Sequence, residues 1–527
     1  MRISARLHSN PPERETRATA AGNADEASKR RLRLVTLAFV GGFALIGGRL
    51  VQLALDAVPA DGAGRQAIAA ASNSRPDILD RNGIMVATDI KVASMYADPR
   101  KVLDIGDTVD QLTLAMPKLD RAFLRERLTR ERDFVWLKRG MTPRERAQIH
   151  DLGLPGVGFV DERRRVYPTG RTLSHVVGHV NVDNQGQAGM EKYLDGFDLN
   201  GRFANSAAAR PSAAMLSVDL RVTHAMRDEL ERAMDTFSAK AAAAVVVDVD
   251  TGEVVGLSSL PDYDPHKPKE SLSPDRINRI SKGVFELGST FKAFTVAMAL
   301  DEHVATLNST YDARTPIRIG RQSIGDFHPE NRVLTVSEIF TYSSNIGSAK
   351  MALDAGVETH RAFLRRLGML ERVVTELPET SDPLIPDPWR PISTMTIAFG
   401  HGLGVTPLQV ASAAAALVNG GRLIAPTFLK RSRREADIYF KPVISAETSA
   451  KMRYLMRLNV QDGTAKKAAV EGYRVGGKTG TAEKAGKGGY SKDKLLTKFI
   501  GTFPADAPRY VVVLLLDEPQ GTKETHG

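Results

Sequence analysis

The chain is 527 residues long, 42% hydrophobic and 25% charged, with 44 glycines and 27 prolines. That balance excludes a wholly disordered, collagen-like or polytopic membrane protein and leaves room for roughly two to four domains. The net charge of +10 is concentrated at the N-terminus, where residues 1–33 hold eight basic against four acidic residues, and the remainder is too dilute in charge for a nucleic-acid reader. Cysteine is absent, which excludes disulfides, zinc–thiolate sites and thiol catalysis.

Residues 1–33 are polar, lack a sustained apolar period and read as a disordered cytoplasmic tail. Residues 34–48 carry no charge, and apolar character resumes after Arg49 as Leu50-Val51-Gln52-Leu53-Ala54-Leu55. As a helix, 34–55 spans about 33 Å, enough for one membrane crossing, with Arg49 near enough to one end to reach the interface. Lys29, Arg30, Arg31 and Arg33 keep the N-terminal side in the cytoplasm and export the rest. No small-residue cleavage site follows closely, so an uncleaved single-pass anchor is expected.

Residues 56–215 mix short strands, turns and charged helices. Asp80-Arg81-Asn82-Gly83 predicts a turn whose Asn-Gly supplies positive φ. Leu119, Phe123, Leu124 and Leu128 recur at helical spacing among Arg121, Arg125, Arg127 and Arg130, which reads as a helix with a solvated basic face. His175 and His179 sit among Val176, Val177, Gly178 and Val180, a pattern expected to form a strand that separates the rings, so no metal site is expected there. Residues 207–214, with Arg210-Pro211 inside, read as a linker. Residues 243–249, the turn Asp250-Thr251-Gly252 and residues 253–257 predict a β-hairpin opening an antiparallel sheet.

Ser289-Thr290-Phe291-Lys292 follows Gly288 and opens an apolar run to Leu300 without Pro or Gly. A helix there puts Ser289 at its N-terminus, where free N–H groups and the dipole favour developing negative charge, with Lys292 on the same face. A lysine buried beside an apolar helix gives up its proton readily, and the neutral amine can activate the serine. The pattern alone is weak: Ser491-Lys492-Asp493-Lys494 repeats it by chance, and Ser289 reads equally well as a helix cap.

Order decides between them. Ser343-Ser344-Asn345 and then Lys478-Thr479-Gly480-Thr481 follow, completing the S-x-x-K, S-x-N and K-T-G set of serine acyl transfer. In that chemistry Ser343 relays a proton between Lys292 and a leaving amine, Asn345 holds a substrate amide, and Lys478 lowers the pKa of its neighbours. Thr479 and Thr481 hydrogen-bond a carboxylate, Gly480 lets a substrate backbone approach the strand, and the N–H groups of Ser289 and Thr481 form an oxyanion hole. Residues 472–479 also fit GxxxxGK[ST], but polar residues precede the match and the glycine-rich stretch after it makes no helix, so a phosphate loop is rejected. No motif asks for a cofactor or a metal.

With these residues in view, the chain from about residue 30 onward resembles a class B penicillin-binding protein. The likeness includes Arg75-Pro76-Asp77-Ile78-Leu79-Asp80-Arg81-Asn82-Gly83, Arg165-Val166-Tyr167-Pro168, His175-Val176-Val177-Gly178, Gly189-Met190-Glu191, Phe399-Gly400-His401-Gly402 and Thr406-Pro407-Leu408-Gln409. It implies an α+β fold: a single transmembrane helix (34–55), an elongated mixed α/β pedestal of the dimerisation type (56–215), and a β-lactamase-like transpeptidase domain with an antiparallel sheet flanked by helices (216–527). The implied activity is that of a serine-type D-Ala-D-Ala transpeptidase. Ser289 attacks the penultimate D-Ala carbonyl of a peptidoglycan stem peptide, and β-lactams acylate it as mimics.

Ser-Ser-Asn, where elongation-type relatives tend to carry Asp, favours the septal, division-type member. An elongation-type enzyme, a β-lactam-hydrolysing or -sensing protein and a catalytically silent division scaffold stand as alternatives. The resemblance also implies an inner-membrane protein with a periplasmic catalytic domain, and partners among other division proteins, including a glycosyltransferase; nucleic acid is not among them. Leu287 stands where many relatives have Pro. Relatives continue past the strand at 510–516 into a helix that packs on the sheet, so a C-terminally incomplete transpeptidase domain is expected.

Overall fold

The computed structural model describes residues 33–52, 74–198, 213–320, 322–486 and 489–520. Helix α1 (Arg33–Gln52) has a mean hydropathy of 1.9 and none of it is buried by the rest of the chain, so it is long and apolar enough to cross a bilayer. Residues 53–55 of the expected span, the tail at 1–32 and the linker positions 207–212 lie outside the described residues.

Beyond α1 the described residues pack as two compact units, one formed by those of 92–162 and the other by those of 74–91 together with those of 163–520. Strand β1 (Met85–Ala97) leads into the first unit, followed by α2 (Ile105–Ala115), α3 (Arg121–Leu128), β2 (Val135–Met141), α4 (Pro143–His150) and β3 (Val157–Val166). The helices start where short polar side chains satisfy free N–H groups: Asp104 accepts from Asp107, Asp120 from Ala122, and Thr142 forms a reciprocal box with Glu145. As the spacing predicts, Leu124 and Leu128 face inward with Val109, Leu112 and Leu137. The arginine face is solvated, and its ion pairs, Arg121 with Asp110 and Arg130 with Glu126, join exposed side chains worth at most about 1 kcal/mol each.

The second unit is built on helix α5 (Leu220–Phe237), the hairpin β4 (Ala241–Asp248) and β5 (Val254–Leu260), and β6 (Phe285–Glu286) before helix α6 (Lys292–Asp301). Helices α7 (Val336–Tyr342) and α8 (Asn345–Ala355), strand β7 (Gly404–Val405), and helices α9 (Pro407–Val418) and α10 (Ala446–Asp462) come next. Strands β8 (Gly476–Gly486), β9 (Gly489–Phe503) and β10 (Tyr510–Asp517) close it. The main sheet is antiparallel in the order β8-β9-β10-β4-β5, which leaves the K-T-G strand on an edge.

The predicted hairpin is present, its turn closed by Asp248 Oδ1 accepting from the N–H of Asp250 and of Thr251, both at 3.0 Å. Strand β10 alternates strictly: Val511, Val513 and Leu515 enter the main core, while Leu514 and Leu516 pack with Met226, Leu230 and Met234 of α5. All twelve residues of α9 are buried against the sheet, and its two polar side chains are satisfied there: Gln409 donates to the Gly368 and Glu371 carbonyls and Ser412 to the Leu408 carbonyl.

Three of the short sequence patterns meet in one buried ion cluster. Arg165 Nε lies 2.6 Å from Glu191 and Arg75 Nε 2.8 Å from the other oxygen of the same carboxylate, while Arg165 also reaches Asp89 at 3.2 Å. The turn at Asp80–Gly83 forms with Gly83 at φ 84°. Its Asp80 carboxylate accepts from the N–H of Leu220 at 3.1 Å, and Asn82 donates to Asp219 at 2.9 Å, so the turn docks on the start of α5. One expectation is corrected. Residues 174–177 form a helical turn, Gly178 reverses the chain at φ 75°, and only His179–Val180 is extended. Both imidazoles meet Tyr263 edge-on, at 5.2 and 5.7 Å, and His175 Nε2 bonds the Arg276 carbonyl, so packing and one hydrogen bond explain the pair.

The Glu191 and Arg165 side chains are both fully buried. Replacing Glu191 with Ala leaves two arginines facing an emptied acceptor, and is expected to cost about 3–5 kcal/mol, read as a lower urea midpoint.

Candidate active site

The three motifs lie on three separate elements of the second unit. Strand β6 pairs with β7, then Leu287 is buried and Gly288 turns the chain at φ 57°. Gly288 donates its N–H to the Gly400 carbonyl at 3.0 Å, and a Cβ on it would stand 2.4 Å from the Thr481 carbonyl oxygen. Only glycine fits both demands. Residues Gly288–Phe291 form one 3-10 turn that runs into α6, so Ser289 sits immediately before the helix, and every side chain of α6 from Lys292 to Leu300 is buried.

Lys292 Nζ lies 2.9 Å from Ser289 Oγ, 2.9 Å from Ser343 Oγ and 2.5 Å from the Ser343 carbonyl oxygen. Ser343 can present both oxygens because it ends α7 in the left-handed region, at φ 63° and ψ 43°. Such a conformation is costly for a side-chain-bearing residue and marks a position where geometry outweighs local strain. Ser344 caps α8 by accepting from the N–H of Gly347. Asp326, which no sequence pattern singled out, accepts from Ser344 Oγ at 2.7 Å and from the N–H of Asn345 and Ile346 at 2.5 and 3.0 Å. The Asn345 amide donates to the Gly325 carbonyl at 2.9 Å. The loop before α7 therefore clamps the whole Ser-Ser-Asn segment.

Lys478, Thr479, Gly480 and Thr481 lie on β8, so the residues matching a phosphate-loop pattern enter a strand. The strand alternates: Lys478 points into the core, while Thr479 and Thr481 remain half-buried. Lys478 Nζ donates to Thr464 Oγ1 at 3.2 Å and sits 5.9 Å above the Phe340 ring, and Thr479 Oγ1 bonds Thr464 at 3.0 Å. Thr464 is thus a second position that sequence reasoning missed. A Cβ on Gly480 would come within 2.6 Å of the Thr290 nitrogen, so the strand lies directly against the turn that carries Ser289.

Electrostatics favour the neutral form of the central amine. Burial pushes Lys292 well below the usual lysine pKa; the nearby Lys478 charge adds to that, and Asp326 opposes it. Burial alone brings Lys478 down to about 7. Glu286 and His401 flank the same turn. The Glu286 carboxylate accepts from the N–H of Gly402 at 2.9 Å, and burial holds the His401 imidazole below its ordinary pKa.

A lysine whose burial favours the neutral amine, a serine hydroxyl and a second hydroxyl bonded to it, and a strand on the sheet edge are what serine acyl transfer needs. Comparison with known proteins agrees. A family model for the penicillin binding protein transpeptidase domain matches residues 242–527, and one for the penicillin-binding protein dimerisation domain matches 71–202. The chain is 39% identical over 468 residues to the "Probable peptidoglycan D,D-transpeptidase FtsI" of Caulobacter vibrioides, covering 86% of this chain and 77% of that protein. It is 32% identical to the peptidoglycan D,D-transpeptidase FtsI of Escherichia coli K12, covering 86% and 80%. Among solved structures, penicillin binding protein 3 from Mycobacterium tuberculosis, complexed with aztreonam, shares the fold at a TM-score of 0.65 and 23% identity, over 85% of this chain and 90% of that one.

Two outcomes follow from the geometry. Lys292 is a base only when neutral, so the acylation rate is expected to fall as pH drops through its lowered pKa, in a pH series with a chromogenic β-lactam. Gly480→Ala pushes the strand off Thr290 and is expected to slow the same acylation by about tenfold or more.

Proposed function

The chain belongs to the penicillin-binding protein transpeptidase family, and from that membership we propose a peptidoglycan D,D-transpeptidase of the FtsI type that cross-links stem peptides in septal wall synthesis. The observation that carries the reading is the Lys292 amine, 2.9 Å from both the Ser289 and the Ser343 hydroxyl.

Ser289 Oγ attacks the penultimate D-Ala carbonyl while Lys292 Nζ takes its proton. The N–H groups of Ser289 and Thr481 receive the oxyanion, as the close approach of Gly288 to the Thr481 carbonyl supports. When the C–N bond breaks, the proton passes from Lys292 through Ser343 to the departing D-Ala amine, which leaves an acyl-enzyme ester. An amine from a neighbouring stem then attacks the ester and restores Ser289. Thr479 and Thr481 take the terminal carboxylate, Asn345 steadies the substrate amide, and Lys478 keeps Lys292 deprotonated. No cofactor or metal enters the sequence of steps. A β-lactam follows the first half and stops at the ester.

Helix α1 and its basic flank support an inner-membrane anchor with the N-terminus in the cytoplasm and the enzyme in the periplasm. We assign 56–215 to the pedestal and 216–527 to the transpeptidase domain. The septal role implies division proteins as partners, among them a glycosyltransferase that supplies the glycan strands.

Ser289→Ala is expected to abolish covalent labelling by a fluorescent penicillin and to cut D-Ala release from a pentapeptide substrate by at least about a thousandfold. Equal labelling of the two proteins overturns Ser289 as nucleophile. Rescue of septation in depleted cells by the Ala variant overturns the septal transpeptidase reading in favour of a scaffold.

A further inference from the structure

A third buried lysine stands beside the site and has no part in the steps above. Lys498 lies on β9 directly opposite Gly480 in the strand register, with 2% of its surface exposed. Gly480 brings no side chain to that position, and a Cβ there would meet the Thr290 nitrogen at 2.6 Å and the Leu287 carbonyl oxygen at 3.0 Å, so the strand beside Lys498 lies against the Ser289 turn. Its Nζ donates to the backbone carbonyl of Glu286, three residues before Ser289.

Other ties on that segment come from the 400–405 turn and strand: the β6–β7 pairing, Gly288 N–H to Gly400, and Glu286 Oε1 from Gly402. The Lys498 bond differs because it is anchored in the main sheet, next to the K-T-G strand itself. The oxyanion hole proposed for this site has one N–H on the Ser289 turn and the other on β8, so its width depends on how that turn is held against the sheet.

We propose that Lys498 is a positioning residue, which ties the Ser289 segment to the sheet and so sets the gap between the Ser289 and Thr481 N–H groups. The inference rests on the reading of Ser289 as nucleophile. Charged and titratable groups reach the amine from each surrounding element: Glu286 on β6, Asp517 on β10 and Lys484 on β8, while His401 on the adjacent turn senses the Lys498 charge. Burial brings Lys498 down to about 7, yet the tether survives titration because a neutral amine still donates to a carbonyl. A buried amine is an expensive choice for a core position flanked on the same strand face by Leu496 and Ile500, both buried. An apolar residue would pack there without the desolvation cost, which is what a role in holding the turn accounts for.

The test is acylation of the full-length detergent-solubilised protein by a chromogenic β-lactam. Pre-steady-state analysis separates the dissociation constant of the non-covalent complex from the acylation step, and rates are expressed per acylatable site. Lys498→Met keeps the stem and removes the donor. The acylation step is expected to slow by about tenfold to a hundredfold with the dissociation constant within twofold of wild type, and Lys498→Arg, which retains donors, is expected to stay faster than Lys498→Met. If Met folds poorly, Lys498→Gln takes its place with the same expectation. An acylation step within twofold of wild type overturns the inference, as does a loss confined to the dissociation constant or an Arg variant no faster than Met. If neither Met nor Gln gives folded protein, Lys498 belongs to folding alone and the inference also fails. Failure of the wild-type protein to acylate at all would instead strike the transpeptidase reading itself.

Discussion

Lys292 is fully buried with its amine between two serine hydroxyls and a carbonyl, and the rest of the site follows from what that placement requires. An ammonium ion withdrawn from water without an ion pair is strongly destabilised, so burial favours the neutral amine, as the proposed role of base to Ser289 requires. The apolar length of α6 supplies the dry surroundings, and Lys478 adds a repelling charge. Asp326 pulls the other way, yet its carboxylate is spent on the hydrogen bonds that start α8. It steadies Ser-Ser-Asn without pairing to the amine.

This constraint explains why the conformationally unusual residues cluster where they do. Three elements must converge on one site, and the residues concerned are far apart in the chain. Ser343 must be left-handed to turn both oxygens inward. Gly288 and Gly480 must lack side chains because the Ser289 turn and the K-T-G strand approach to backbone contact. The sheet order puts β8 on an edge, so one side of that strand is open to an extended substrate while the other is braced by β9.

Local signals in the sequence were enough for the hairpin at 241–260, the apolar helix after Ser289, the inward leucines of α3 and the order of the three motifs. What they could not reveal is which polar side chain reaches which distant partner. Asp326 lies 18 to 20 residues before the groups it holds and carries no periodic mark. Arg75, Arg165 and Glu191 were visible as separate fragments of family likeness, and only the fold shows that they are one ion cluster. Lys498 did leave a trace, since period-two alternation puts it on the face of Leu496 and Ile500. The trace was unreadable because Leu495 and Phe499 make the other face equally apolar. The residues around His175 misled for a related reason: a run of valines reads as a strand, but the left-handed Gly178 breaks it after a single helical turn.

Two groups of buried cations contrast, and side-chain chemistry separates them. Arg165 is buried with carboxylate partners on Glu191 and Asp89, whereas the bonds of Lys292, Lys478 and Lys498 go to hydroxyl and carbonyl oxygens. A guanidinium cannot be deprotonated inside a protein, so Arg165, fully buried, is held with its counter-charges in a permanent structural ion pair. A lysine can shed its proton, so it tolerates a dry site without an anion and keeps a titratable amine there. The division of labour is spatial as well: the arginine cluster fastens the 74–91 segment to residues 165–195, and the lysines surround Ser289. Exchanging the two chemistries would fail in both places, since a lysine in the cluster could neutralise and loosen it, and an arginine at 292 would remain protonated where the proposed reaction needs a base.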